Sequence, residues 1–277
     1  MEWNRFNFIR NLQNQFRRET TNGLIDRVQN SSANTSEPIR LGRVVILPYS
    51  FSRSSRSMQQ YFQDAIALSR EVGRPDLFIT FTANPQWPEI HDFLRSQGTG
   101  FNASDIPHVV VRAFYCRFVK EIASGKVFGQ ILGYTFNIEF QKRGLLHAHC
   151  LFILNPKDKL LTPEALDRFI CTETPDRDNF PNLHNKVMKH MLHGPNTDAT
   201  PCYNTLTGKC QKKYPFAFCD VTDMSGNGFP KYMRRDNRNA MHFYSRRVNY
   251  RLVPVDNSMV VPYNSHLLLK YDSHINV

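Results

Sequence analysis

Glu139-Phe-Gln-Lys-Arg-Gly-Leu-Leu-His147-Ala-His149-Cys-Leu-Phe-Ile-Leu154 sets two histidines one residue apart inside a continuous apolar run. Such a run reads as a strand, and in a strand alternate side chains share a face. His147 and His149 therefore look one way, while Ala148, Cys150, Phe152 and Leu154 pack the other way. Upstream, Gly129 to Phe140 alternates too: Leu132, Tyr134, Phe136, Ile138 and Phe140 make an apolar face, and Thr135, Asn137, Glu139 and Gln141 a polar one. Lys142-Arg143-Gly144 between the two suits a three-residue hairpin loop, a type I turn ending in a left-handed glycine. Closing the chain over that loop pairs Gln141 with Leu145, Glu139 with His147 and Asn137 with His149, so the polar faces coincide. A four-residue loop would oppose Phe140 to His147, against the alternation.

The register puts a carboxylate beside two imidazoles. Directly opposed Cβ atoms lie about 5 Å apart, a span that two ligands can close on one ion. His147, His149 and Glu139 form the candidate metal set, with Gln141 on the same face as the alternative third ligand. Three such donors leave positions open on the ion, as a catalytic site requires. Non-haem iron oxygenases use the same donors, so the set alone does not choose a chemistry. Strand histidines also commonly serve as ordinary satisfied polar residues.

Net charge is +11 over 277 residues. It is concentrated between Thr207 and Arg251, where Lys209, Lys212, Lys213, Lys231, Arg234, Arg235, Arg238, Arg246, Arg247 and Arg251 face only Asp220, Asp223 and Asp236. A polyanion is the expected partner, and the interleaved aromatics offer stacking surfaces for unpaired bases. No run of residues approaches a membrane span, and Met1-Glu-Trp-Asn-Arg-Phe lacks the start of a secretory signal. Membrane association is not expected, and the six cysteines are expected as thiols or ligands in a reducing compartment.

Along the chain, residues 1–26 suggest a helix bearing Phe8, Ile9, Leu12 and Phe16, and 29–38 a polar linker. Met58, Tyr61, Phe62, Ala65, Ser69 and Val72 trace a helical stripe stopped at Gly73. Leu77 to Thr82 alternates as a strand, and Asn84-Pro85 ends it. Val111, Phe114, Phe118 and Ile122 recur at helical spacing, and Pro163 opens a helix capped by Thr162. Strand, helix, hairpin, helix is the order of a split βαβ unit, giving an α+β class with an antiparallel sheet and helices on one face. Three regions are expected: 1–41, a helix and linker; 42–175, the core with the histidine strand; and 176–277, a loop-rich basic extension. In the last, His190, His193, Cys202 and Cys210 form a candidate zinc knuckle of irregular spacing.

The histidine segment resembles the His-hydrophobic-His (HUH) endonuclease domain of Helitron rolling-circle transposases, often labelled the Helitron helicase-like domain. Further matching blocks are Gly73 to Ile90, His190-Met-Leu-His-Gly-Pro195, Gly208-Lys-Cys-Gln-Lys-Lys-Tyr-Pro215, Val260-Val-Pro-Tyr-Asn264 and Lys270-Tyr-Asp-Ser-His-Ile-Asn-Val277, in the family's order. The resemblance implies a palm-like sheet, nuclear residence, and metal-assisted transesterification on single-stranded DNA with Mg²⁺ or Mn²⁺ at the histidines. It also implies that the strand Leu77–Thr82 lies beside the histidine strand and that the face carrying Thr80, Thr82 and Asn84 looks toward DNA. Lys142, Arg143, Lys212, Lys213, Arg234, Arg235, Arg246 and Arg247 are the basic residues expected to join it there. Two departures stand out. Asn196 follows His-Gly-Pro where the family usually has Cys, which removes a zinc ligand. The family's Tyr-x3-Tyr nucleophile pair follows the His-Ile-Asn-Val block, where this chain stops, and no two of its eleven tyrosines are four apart. Tyr263 and Tyr271 are the nearest candidates by position and read better as packing residues. No Gly-x4-Gly-Lys-Ser/Thr loop is present, so ATP hydrolysis is not expected here; in the family it belongs to a downstream helicase domain. Two readings result: a fragment of a transposase that nicks and transfers single-stranded DNA, inactive alone without the Tyr-x3-Tyr pair, or a catalytically dead DNA-binding relic.

Overall fold

The computed structural model describes residues 2–12, 47–48, 50–52, 54–98, 100–141, 145–194, 202–226, 229–238, 244–248 and 251–277, the backbone alone at 2–3, 244–248 and 251–254. The expected linker, the second half of the N-terminal helix with Phe16, and Lys142, Arg143 and Asn196 lie outside these residues. Contacts divide the chain into residues 1–68 and 69–277.

In the first unit, α1 (Glu2–Asn11) is followed by the start of α2 (Ser55–Val72). Ser54 caps α2 by accepting from the Ser57 N–H at 3.1 Å, the satisfaction an unpaired first-turn donor requires. Its apolar stripe is present: Met58, Tyr61 and Phe62 are exposed, and Ala65, Ser69 and Val72 are half-buried.

The second unit is built on β1 (Leu77–Thr82), β2 (Ile131–Phe140), β3 (Leu146–Leu154) and β8 (Ile275–Asn276), in the order β2-β3-β1-β8. β3 runs antiparallel to both neighbours, so β1 and β2 point the same way with β3 between them. Glu139 stands opposite His147 and Asn137 opposite His149, the pairing a three-residue loop dictates. Alternation then sorts the faces. Leu77, Ile79 and Phe81 of β1, and Leu146, Ala148, Cys150, Phe152 and Leu154 of β3, are buried in one core.

Helices cover that face. α3 (Pro88–Gln97) and α4 (Pro107–Phe114) precede a wider turn (Tyr115–Val119) that leads into α5 (Lys120–Ala123). Phe81 lies with its ring centroid 4.4 Å from Phe118, 5.2 Å from Phe114 and 5.8 Å from Tyr271. Each such aromatic pair adds roughly 0.5–1.5 kcal/mol beyond burial, which makes this cluster the stiff backing of the opposite, polar face. Thr162 caps α6 (Pro163–Phe169) through the Ala165 N–H. α7 (Pro181–His190), the hairpins β4 (Tyr203–Asn204) with β5 (Lys209–Cys210) and β6 (Tyr244–Val248) with β7 (Arg251–Val255), and α8 (Ser265–Tyr271) complete the unit.

The basic extension does not stay apart from the core. Leu267, Tyr271, Ile275 and Val277 belong to the same apolar cluster as β1 and β3, and β8 pairs with β1. Among the described residues, no helix is long and apolar enough to cross a membrane.

Candidate active site and a second metal-ligating cluster

The polar face of the sheet carries two rows of side chains running across the strands. In one, Asn137, His149, Thr80 and Asn276 stand opposite one another in turn. In the other, Glu139, His147 and Thr82 do so, and the row extends to His274, whose carbonyl accepts from the Thr82 N–H at 3.0 Å. His274 carries no signal in the hairpin and was missed by the sequence reading. In the fold, Tyr271, Ser273, Ile275 and Val277 are buried alternately with the more open Asp272, His274 and Asn276.

Thr82 Oγ1 lies 2.9 Å from His147 Nδ1. In the tautomer where Nδ1–H donates to the hydroxyl, Nε2 presents its lone pair outward, the arrangement that orients metal-binding imidazoles. The two imidazole centroids are 4.7 Å apart, and Glu139 Oε2 reaches to 3.8 Å from His149 Nε2. The donor set of two imidazoles and a carboxylate is thus on one face and chemically suited to a divalent ion. The three ligand atoms do not all lie within 4.8 Å of one another, and Glu139 is an exposed side chain on the edge strand. Phe78 stacks on His149 at 5.9 Å and is itself exposed, an aromatic surface on the same face.

Burial lowers the pKa of His147, the neighbouring His149 and Lys212 push it further down, and Glu139 opposes them. The imidazole is therefore neutral near pH 7, as a ligand must be. Burial, His147, Lys212 and His190 together bring His274 down to about 4. Positive groups thus crowd the β8 end of the face. Asp272 answers them: it accepts Lys186 Nζ at 2.9 Å and His190 Nε2 at 3.0 Å, with Lys189 Nζ at 3.5 Å. Its carbonyl takes the Asn84 side-chain amide at 2.8 Å, and Asn84 Oδ1 takes the Gln86 N–H at 2.9 Å. Asn84, expected to face DNA, is half-buried and holds the Asp272 carbonyl and the Gln86 N–H.

The zinc-knuckle expectation divides. His190 is turned to Asp272, but His193, Cys202 and Cys210 converge. His193 Nε2 is 3.3 Å from each sulfur, and the sulfurs are 3.6 Å apart. This is the one group of three such donors found within ligand distance among the described residues. The His193 ring is clamped parallel to Tyr214 with centroids 4.1 Å apart. Burial opposes ionisation of Cys210, yet the backbone N–H groups of Tyr214 and Lys212 outweigh it and lower the thiol's pKa.

The basic residues also separate. Lys212 and Lys213 are exposed. Arg234 was expected at a DNA face and is instead buried, donating to the main-chain carbonyls of Val260, Thr172 and Asn257 in the loops packed around it. Arg235 forks onto Glu173. Arg246 and Arg247 lie on β6, where the backbone alone is described. Tyr263 and Tyr271 are fully buried; the first donates to the Glu173 carbonyl at 2.9 Å, the second to the Arg117 carbonyl at 2.7 Å and to Glu121. Burial pushes both phenols well above the usual tyrosine range.

A family model described as Helitron helicase-like domain at N-terminus matches residues 1–152, more than half of the chain. The chain belongs to this family. The matched stretch of this Helitron helicase-like chain includes β1, β2 and both histidines, whereas the His193–Cys202–Cys210 cluster, Lys212 and His274 lie beyond it. No curated protein matches the chain.

Proposed function

We propose that this chain is the single-stranded DNA nicking and strand-transfer domain of a Helitron rolling-circle transposase, on a palm-like split βαβ sheet whose polar face is the catalytic one. The observation that carries the reading is the alignment of Glu139, His147 and Thr82 in one row across three strands, with the Thr82 hydroxyl on His147 Nδ1. His147, His149 and Glu139, or Gln141 in its place, would hold Mg²⁺ or Mn²⁺. Imidazole donors favour Mn²⁺. Such an ion supplies a Lewis acid for a scissile phosphate. Thr82 orients one imidazole, Phe78 stacks on the other and offers its open side to an unpaired base, and Lys212 attracts the strand. Nuclear residence and a helicase partner in the same polypeptide accompany the family role. The regions 1–41, 42–175 and 176–277 then serve as leader, nuclease core and DNA-gripping extension, the last closing the sheet with β8.

The test is Mn²⁺ binding by calorimetry. His147→Ala/His149→Ala removes two of three donors and is expected to abolish the binding isotherm; undiminished binding in the double variant would refute the site.

Among the described residues, neither Tyr263 nor Tyr271 offers an attacking hydroxyl: both are buried with the hydroxyl bonded to a main-chain carbonyl, and in-line attack tolerates no such misplacement. Incubated with end-labelled single-stranded oligonucleotide and Mn²⁺, the 277-residue chain is expected to form no covalent adduct on denaturing gels. An adduct lost in Tyr263→Phe or Tyr271→Phe would overturn that assignment. Binding without an adduct is also what the second reading, a DNA-binding relic, gives for this chain.

A further inference from the structure

The His193–Cys202–Cys210 triangle has the dimensions of one face of a zinc tetrahedron. Zn–S bonds of about 2.3 Å and Zn–N bonds of about 2.0–2.1 Å at tetrahedral angles place sulfurs about 3.8 Å apart, and sulfur and nitrogen about 3.6 Å apart. The edges here are 3.6, 3.3 and 3.3 Å. The surroundings are those of a ligand site as well. Cys210 ends β5 opposite Tyr203, and its Sγ accepts the backbone N–H of Lys212 at 3.3 Å, a donor that serves a thiolate better than a thiol. Gln211 N–H donates to the Cys202 carbonyl at 2.7 Å and Lys213 N–H to the Cys210 carbonyl at 2.9 Å, so the turn after Cys210 is wound around the sulfurs. Lys213 adopts φ 65°, which a lysine accepts only where its surroundings dictate the turn. Tyr214 then fixes the plane of His193.

That turn carries Lys212. Its backbone is tied to Cys210, its side chain is exposed, and its charge is felt at His147, His193 and His274. Among the described residues no carboxylate pairs with it. A cation left open to solvent, near the histidine face and on a turn bonded to the Cys210 sulfur and to the Cys202 and Cys210 carbonyls, is suited to a phosphate.

We propose that His193, Cys202 and Cys210 hold one zinc ion with a solvent molecule at the fourth corner, and that this ion fixes the turn from which Lys212 binds a DNA phosphate beside the His147/His149 face. The zinc half stands on the cluster alone; the Lys212 half rests on the nicking reading above.

Two measurements test it on the whole chain. Metal analysis after dialysis is expected to return one zinc per chain for the wild type and for Lys212→Gln, and none for Cys202→Ser/Cys210→Ser. Should the serine variant fail to fold, cobalt(II) exchange into the wild type is expected to give the visible absorption of a tetrahedral thiolate site. A wild type that takes up neither zinc nor cobalt overturns the zinc half. Binding of a fluorescent single-stranded oligonucleotide over a salt series reads the other half. Lys212→Gln, losing one phosphate contact, is expected to lower the log–log salt slope by about 0.7. Chelating the zinc is expected to lower the wild-type slope equally and the Lys212→Gln slope no further. An unchanged slope in Lys212→Gln overturns the Lys212 half. Zinc bound with no DNA binding at all would sink the nicking reading and leave the metal site standing.

Discussion

Arg234→Ala is expected to destabilise the larger unit by about 3 kcal/mol or more, although nothing in the sequence distinguishes this arginine from its neighbours. Arg234 is 4 % exposed and its Nη1 serves three main-chain carbonyls, of Val260 at 2.8 Å, Thr172 at 3.3 Å and Asn257. Its own backbone pairs with Cys219, and its guanidinium lies 5.3 Å from the centroid of Phe216. The side chain thus joins the segments around residues 172 and 257–260, and the main chain of the same residue adds the one around 219. Removing it leaves the buried Thr172 and Val260 carbonyls without a donor, at about 1–3 kcal/mol each, while the Asn257 carbonyl keeps the Val260 N–H; with the contact of the guanidinium on Phe216 lost as well, at about 1 kcal/mol, the lower end comes to about 3 kcal/mol. The desolvation that burying the charge costs is recovered on truncation, so the upper end is not expected. For a unit of roughly 200 residues, where 1 kcal/mol shifts Tm by about 2–4 °C, calorimetry should show a drop of about 6–12 °C. Arg235→Ala is the control. Its fork to Glu173 is open to solvent on the arginine side, so about 1 kcal/mol or less is expected. If Arg235→Ala costs more than Arg234→Ala, the strut assignment is wrong. At temperatures where it is folded, the Arg234 variant should bind single-stranded DNA as the wild type does, since the side chain does not reach the surface.

Arg234 shows where sequence reading ends. An arginine buried on carbonyls has the same composition and spacing as one in solvent; the acceptors that decide its place are up to 62 residues away and are backbone atoms, which carry no residue-type signal. The hairpin is the opposite case. Its register depends on a three-residue loop and on an alternation that flips every side chain if slipped by one, so Glu139 opposite His147 is specified locally. The Thr face of β1 was legible for the same reason. Its pairing with β3 was not derivable from alternation, since 65 residues separate Thr82 from His147, and came only from the family resemblance. His190 illustrates a third case. Its spacing to His193 suited a metal site, but His190 ends α7 while His193 lies beyond it, and the helix end turns His190 toward Asp272. Spacing rules assume a continuous local backbone, and a helix terminus between two ligands breaks that assumption.

His274, invisible to all of these signals, should make the fold acid-labile. Its folded-state pKa of about 4 lies below the ordinary histidine value of 6.5. The unfolded chain therefore binds the proton first as pH falls. The stability this group contributes is fully present above pH 6.5 and is lost progressively between 6.5 and about 4. For a single site with these values the loss is about 2 kcal/mol at pH 5, approaching about 3 kcal/mol near pH 4. His147 on β3, His190 on α7 and the charge of Lys212 act on it in the same direction as its burial, and Asp272 is held ionised by Lys186 and His190 against its own burial. The lowered carboxylates Asp272, Glu89 and Glu121 add their own loss only as pH falls through the ordinary carboxylate range, so the interval from 6.5 to 5 belongs to the histidines. Urea unfolding at pH 7 and pH 5, with chelator present so that metal binding does not contribute, measures the difference. His274→Gln, which cannot take the proton, is expected to lose about 2 kcal/mol less than the wild type over that interval. An equal loss in both proteins would mean that His274 is solvated, and would remove it from the row that begins at Glu139.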